Sequence, residues 1–127
     1  MIKIKQEHID EMIKHSRDEY PRECCGVLYG PNGTAEYLYR MTNTHSDPET
    51  SYAVDHEEQL KLWERIEEND HELAVIYHSH PKGPAYPSSV DVDTAHNHAV
   101  YVIIGDQEIK AFRISGGIAR EVMIDAG

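Results

Sequence analysis

Polar and apolar positions along this chain switch repeatedly between the period of a strand and that of a helix. Ile2 and Ile4 alternate with Lys3 and Lys5, which predicts a short first strand with one polar face. Ile9, Met12 and Ile13 recur at helical spacing, and Ser16 and Tyr20 extend the stripe weakly. This predicts a helix from Gln6 to Glu19, ending before Pro21. Pro21-Arg22-Glu23 is a connector. Cys24 to Gly30 is short and apolar, as an interior strand is. Pro31-Asn32-Gly33 is a hairpin turn signal, and Ala35 to Met41 returns as a strand with Tyr37 and Tyr39 on one side. Asn43 to Thr50 is a polar loop carrying Asp47-Pro48, and Ser51 to Val54 reads as a brief strand. Leu60, Trp63 and Ile66 stand three apart among charges, predicting an amphipathic helix over His56 to Glu68 with Asp55 as its N-cap. Asn69-Asp70-His71 links it to the apolar run Leu73 to Tyr77. Ser88 to His96 reads as a short helix and Val100 to Ile104 as a strongly apolar strand. Gly105-Asp106-Gln107 turns into a strand from Ile109 to Ile114, and Gly116-Gly117 turns into a last strand from Ile118 to Ile124. Strands outnumber helices and come in runs of two or three between them. That order predicts a mixed sheet with helices packed on it, an α/β or α+β layer fold.

A chain of 127 residues is expected to form one domain, residues 1–127, with a core of its own. Its hydrophobic content of 39% and charged content of 28% are those of an ordinary globular protein. The net charge of -11 argues against non-specific binding to nucleic acid or an anionic membrane, since both need Lys and Arg to meet phosphate. The N-terminus has no long apolar stretch, and no segment approaches the roughly 20 apolar residues of a spanning helix. A cytoplasmic location is the expectation. The two cysteines, Cys24 and Cys25, are adjacent. Neighbours on a strand face opposite ways, so they predict no disulfide and no CxxC metal pair, only two small buried side chains.

The chemistry concentrates after the apolar run, in His78-Ser79-His80-Pro81. Two histidines two apart on an extended strand point the same way, and Pro81 stops the strand at its rim. Two imidazoles on one face, with a carboxylate returned by a loop, make a three-ligand metal site with a fourth position open to water. Ser88 and Asp91 have the spacing of a capping box, with Ser88 as N-cap and Asp91 reaching back. The two readings are compatible, because a helix start there aims Asp91 and the Ser88 hydroxyl toward the strand end. Taken with the histidines, Asp91 is preferred as the third ligand. His96 and His98 form a second His-x-His, but in a polar helix end or loop, where no ligand role is expected. His8, His15, His45, His56 and His71 sit in polar sequence and need none either. A metal-activated water still requires a carboxylate outside the metal shell to carry its proton. Glu23, just before a buried strand and hence at a sheet end, is one candidate among 23 acidic residues. A solvated charge in the Pro-Arg-Glu loop is the plain alternative.

His78-x-His80, seven residues, Ser88, two residues and Asp91, with Glu23 in Pro21-Arg22-Glu23-Cys24-Cys25-Gly26 upstream, resemble the JAMM (MPN-plus) metalloproteases. That superfamily includes the deubiquitinating and deneddylating subunits of the proteasome lid and the signalosome. The resemblance runs over nearly the whole chain. It implies an MPN/cytidine-deaminase-like α/β (α+β) fold, a mixed, largely antiparallel curved sheet flanked by two main helices. It implies Zn2+ bound by His78, His80 and Asp91, Glu23 as general acid and base, and Ser88 helping to hold the water and the oxyanion. The implied reaction is hydrolysis of a peptide or isopeptide bond. Only eight residues separate Asp91 from the next predicted strand, where eukaryotic deubiquitinating members carry long insertions. The compact form is similar to stand-alone bacterial and archaeal members, which implies a ubiquitin-like or sulfur-carrier protein as partner, cut after its C-terminal diglycine. The RadC-like proteins share the pattern but carry a helical N-terminal region that this chain lacks. A non-enzymatic MPN-type scaffold is the alternative, though such relatives usually lose ligands and none is missing here. A nucleoside deaminase would need His-x-Glu and Pro-Cys-x-x-Cys, and neither occurs.

Overall fold

The computed structural model describes residues 1–95 and 98–127. In chain order the elements are β1 (Ile2–Lys3), α1 (Gln6–Glu19), β2 (Cys25–Pro31), β3 (Tyr37–Met41), α2 (His56–Glu68) and β4 (His71–Ser79). They continue with α3 (Ser89–Thr94), β5 (Val100–Ile104), β6 (Ile109–Ser115), β7 (Ile118–Val122) and β8 (Ile124–Asp125). Six strands form one sheet in the order β3-β2-β4-β5-β6-β7. Only β4 and β5 run parallel within it; its other neighbours are antiparallel. β1 and β8 pair as a separate two-stranded parallel ribbon. This is the mixed sheet expected from the pattern, and it is largely antiparallel as the resemblance implies. None of the described helices is long and apolar enough to cross a membrane.

The alternation of side chains divides the core into two layers. On one face Cys24, Leu28, Val75, Tyr77, Val100 and Val102 pack under Ile9 and Met12 of α1. On the other, Cys25, Val27, Tyr29 and Met41 pack under Leu62 and Ile66 of α2. The same face continues across Tyr101, Ile103 and Phe112, where the loop residue Ala85 and, from α3, Val92 cover it. The adjacent cysteines therefore do face opposite layers, both buried and both free. The hairpin turn forms as its sequence asks, with Asn32 and Gly33 at φ 55° and 72°. Asp55 caps α2 by accepting the Glu58 N–H at 3.0 Å.

Four details depart from the pattern. The apolar stripe of α2 is carried by Leu62 and Ile66, four apart, while Leu60 is 61% exposed. A stripe of step three drifts around a 3.6-residue helix, so Leu60 turns off the buried face. Ser51 to Val54 makes no strand, only a bridge between Asn43 and Val54, because side-chain hydrogen bonds hold that loop. The last strand is broken at the exposed Met123, and its tail pairs with β1 instead of β6. His15 is buried, not in polar surroundings: its Nδ1 lies 2.7 Å from the Tyr77 hydroxyl.

Gly26 is where β2 passes over Tyr77. A Cβ there would lie 2.3 Å from the ring's Cζ and hydroxyl oxygen. Gly26→Ala is expected to cost about 1–3 kcal/mol through overpacking, read as a lower urea midpoint at unchanged slope. His15 gives a pH prediction. Burial, helped by the charge of Arg40, lowers its pKa below the ordinary 6.5. The unfolded chain therefore takes up the proton first as pH falls. The contribution of His15 is full above 6.5 and is lost below it. Between pH 7 and 5 the wild type should lose stability more steeply than His15→Gln, and equal slopes in parallel urea titrations would contradict this.

Candidate active site

β4 runs between β2 and β5, which fixes its backbone on both sides and delivers its C-terminal residues to one edge of the sheet. His78 sits opposite Cys25 of β2 and beside Ile103 of β5. His80 follows the strand's end, its backbone N–H donating to the Ile104 carbonyl at 2.8 Å. The intervening Ser79 faces the other way. Its hydroxyl accepts the Cys24 N–H at 2.8 Å, and its own N–H donates to the Cys24 carbonyl at 3.1 Å. This reciprocal pair extends the β2–β4 ladder past its regular end. It leaves Glu23 opposite His80, on the face that His78 and His80 share. The structure thus brings Glu23 and the histidine pair together: one donor atom from each lies within 4.8 Å of the others.

Asp91 arrives on the crossover that parallel strands require. α3 begins with a full capping box. The Ser88 hydroxyl accepts the Asp91 N–H at 3.0 Å, and Asp91 Oδ2 accepts the Ser88 N–H at 2.8 Å. The same Oδ2 lies 3.2 Å from His78 Nε2 and 3.3 Å from His80 Nε2, and those two nitrogens are 3.1 Å apart. Capping and convergence are one arrangement, since the cap locks the carboxylate that faces the imidazoles. Ser88 itself is exposed at the rim; accepting one N–H leaves its hydroxyl proton to donate elsewhere. The second His-x-His includes His96, which lies outside the described residues; His98 is exposed.

With both imidazoles neutral, each of the three convergent atoms can offer a lone pair to a cation, and His78 Nδ1 is buried without a hydrogen-bond partner. His80 Nδ1 faces the Pro84 carbonyl at 3.2 Å, which places the proton on Nδ1 and leaves Nε2 as an acceptor. A proton can bridge one contact of this triangle, whereas a divalent cation satisfies all three. Donors about 2.0–2.2 Å from one tetrahedral centre stand roughly 3.3–3.6 Å apart. The separations of 3.1–3.3 Å lie within a few tenths of an ångström of that spacing, and two imidazoles with one carboxylate are an ordinary zinc donor set.

The two carboxylates differ in kind. Asp91 is half-buried, which alone would raise its pKa, but hydrogen bonds to His78 and His80, the charge of His78 and the Ser88 N–H hold it well below the carboxylate range. Glu23 is 6% exposed, and burial pushes it up to about 7, with His80 opposing and Asp91 reinforcing the rise. His80 is raised above the ordinary value: burial opposes charge there, but Asp91, the Pro84 carbonyl and Glu23 outweigh it.

Residues outside the motif complete the site. The Tyr52 ring stacks on His78 with centroids 4.7 Å apart at 28°. Tyr52, Ser79 and Pro84 gave no signal in the hydrophobic pattern, because each acts through a loop contact or a face that periodicity does not mark. A groove of about 1370 Å³ opens beside the histidines, and Val27, Ile76, Trp63, Ile66, Leu73 and Val90 contribute to its lining. It is large for a small-molecule pocket.

Residues 5–115 match the family model of prokaryotic homologs of the JAB domain. The chain is 39% identical over 126 residues to the CysO-cysteine peptidase of Mycobacterium bovis, covering 93% of this chain and 86% of that protein. It is 36% identical over 109 residues to a probable TtuB-protein conjugate cleaving protease of Thermus thermophilus, covering 86% and 73%. It is 30% identical over 123 residues to the desampylase of Haloferax volcanii, covering 91% and 88%. Among solved structures, a Desulfitobacterium hafniense protein matches with a TM-score of 0.84 at 30% identity, covering 98% and 92%. A JAB1/MPN domain protein from Archaeoglobus fulgidus matches at 0.64 with 15% identity over 98% of each chain, a likeness of fold.

Ser79→Ala should strand the buried Cys24 N–H. The expected cost is about 1–3 kcal/mol in urea unfolding, and a change below a few tenths would contradict the tie described here.

Proposed function

The chain belongs to the family of prokaryotic JAB-domain proteins, and from that premise we propose that it is a zinc-dependent peptidase of the JAMM type. Its substrate is a ubiquitin-like or sulfur-carrier protein, and the bond cut is the peptide or isopeptide bond after the carrier's C-terminal diglycine. The relatives named as acting on CysO and TtuB support that substrate class, and a groove of about 1370 Å³ beside the histidines has room for more than a small molecule. The observation that carries the reading is the triangle of His78 Nε2, His80 Nε2 and Asp91 Oδ2, with sides of 3.1–3.3 Å, beside the buried Glu23.

His78, His80 and Asp91 would hold the zinc. When bound it supplies Lewis acidity, lowering the pKa of a ligand water to roughly 7 and polarising the scissile carbonyl. Glu23 does the proton work. With a pKa of about 7 it is divided between base and acid at neutral pH, so it takes a proton from the attacking water and returns it to the leaving nitrogen. The tighter triangle with Asp91 and the near-neutral character of Glu23 both favour Glu23 as proton carrier over Glu23 as ligand. Ser88, its hydroxyl oxygen oriented by the Asp91 N–H, donates a hydrogen bond to the carbonyl oxygen as that oxygen gains charge. Tyr52 covers one side of His78 and limits water there. We also read residues 1–127 as one domain, and the unbridged cysteines as those of a protein of the reducing cytoplasm.

Zinc quantification and cleavage of a carrier fusion joined through Gly-Gly test the proposal together. Wild type should bind one zinc and cleave; Glu23→Gln should keep the zinc and lose about 10²–10⁴-fold in rate. A folded protein that takes up no zinc when supplied with it, or a Glu23→Gln variant of undiminished rate, would overturn the reading. Zinc affinity should also fall as pH drops from 8 to about 5, because only neutral imidazole ligates. A flat titration over that range counts against His78 and His80.

A further inference from the structure

Asn43 stands where β3 hands over to the loop leading to α2, and its carboxamide uses all of its hydrogen-bonding capacity. Nδ2 donates to the carbonyl oxygens of Glu23 at 2.9 Å and Ser51 at 3.1 Å, with the Pro48 carbonyl at 3.4 Å sharing a proton. Oδ1 accepts the backbone N–H of His45 at 3.0 Å and of Ala53 at 3.1 Å. Two protons and two lone pairs on a one-carbon stem are the property of asparagine. Aspartate would meet the carbonyls without a proton, and an apolar residue would satisfy none of the five groups.

The pattern of partners says what this hub is for. The backbone of Glu23 is held on both sides by one loop. Its N–H donates to the Pro48 carbonyl at 2.7 Å, and its carbonyl accepts from Asn43. The next residue, Cys24, is tied to Ser79. Asn43 also grips Ser51 and Ala53, the two neighbours of Tyr52, whose ring lies on His78. One side chain therefore sets both the carboxylate that meets the two imidazoles and the ring that backs one of them.

We propose that Asn43 is a positioning residue of the reaction: it fixes the backbone of Glu23, and with it the reach of the carboxylate, while seating Tyr52 against His78. The proposal rests on the reading of Glu23 as proton carrier. A residue that only stapled the loop would lower stability and leave the folded enzyme's turnover alone. A positioning residue lowers kcat in protein that is folded and loaded, and does so only while Glu23 is present to be positioned.

The test compares zinc-loaded wild type, Asn43→Asp, Glu23→Gln and the double variant on a carrier fusion joined through Gly-Gly. Amide hydrogen exchange at Glu23 and Cys24 is measured on the same proteins. Asn43→Asp should fold, bind zinc stoichiometrically and keep KM within about twofold, while kcat falls about 10–100-fold and exchange at the Glu23 N–H quickens. In the Glu23→Gln background the same change should produce no further loss, since both act through one carboxylate. If Asn43→Asp does not fold, Asn43→Ser, which shortens the reach without adding charge, takes its place in the same comparison. A folded variant with wild-type kcat, or losses that multiply in the double variant, would overturn the proposal. Full activity in Glu23→Gln alone would remove the proton-carrier reading and the proposal with it, an outcome that is recognised without any change at Asn43.

Discussion

The site depends on the antiparallel pairing of β2 with β4 in the register Cys25↔His78. Fifty-five residues separate Glu23 from His78 in the chain, yet this register sets them on one face of the sheet. A slip of one residue would turn every side chain of β2 to the opposite face and send Glu23 under α1. Two devices guard against it. Val27 and Cys25 fill the layer beneath α2 while Cys24 and Leu28 fill the layer beneath α1, so a slip would mismatch both cores. Beyond the last ladder bond, the Ser79–Cys24 pair clamps the register where Glu23 leaves the strand.

The second constraint is electrostatic. Two carboxylates flank the same histidines and are driven in opposite directions. Asp91 has two imidazoles and a helix-capping N–H as partners, which hold it ionised. Glu23 is buried, which makes its charge costly and its proton exchangeable near neutrality. Environments that push paired acids apart divide labour between them: one suits permanent ligation, the other proton transfer. The groove beside this pair is lined in part by Val90 and Thr94 of the short α3.

Much of this was readable before any coordinates. The apolar runs that predict β2, β4 and β5, the alternation that predicts β6 and the stripe that predicts α1 are strong because burial enforces them. The spacing of His78, His80, Ser88 and Asp91 carried both a capping box and a ligand set, and the structure builds the box and the convergence from the same oxygen. The placement of Glu23 before a buried strand marks it as a candidate at a sheet end, and the resemblance singles it out from the other acids; its burial has no local signal in the sequence. Tyr52 and Asn43 were not legible at all. Their segment reads as polar loop and short strand, and its order comes from one carboxamide binding five backbone groups, a pattern that leaves no trace in periodicity. His15 was misjudged for a related reason: its polar neighbours in sequence lie on the other side of the helix, while it points inward to Tyr77. Leu60 erred in the reverse sense, as an apolar residue on the solvent side of α2.

The proposed site has His78, His80 and Asp91 holding the metal while Glu23 stands outside its shell. Anomalous diffraction from a zinc-loaded crystal distinguishes the two carboxylates. A single strong peak is expected about 2.0–2.2 Å from His78 Nε2, His80 Nε2 and Asp91 Oδ2, with the Glu23 carboxylate beyond bonding distance. A peak bonded to Glu23 in place of Asp91, or one seated on Cys24 or Cys25, would contradict it.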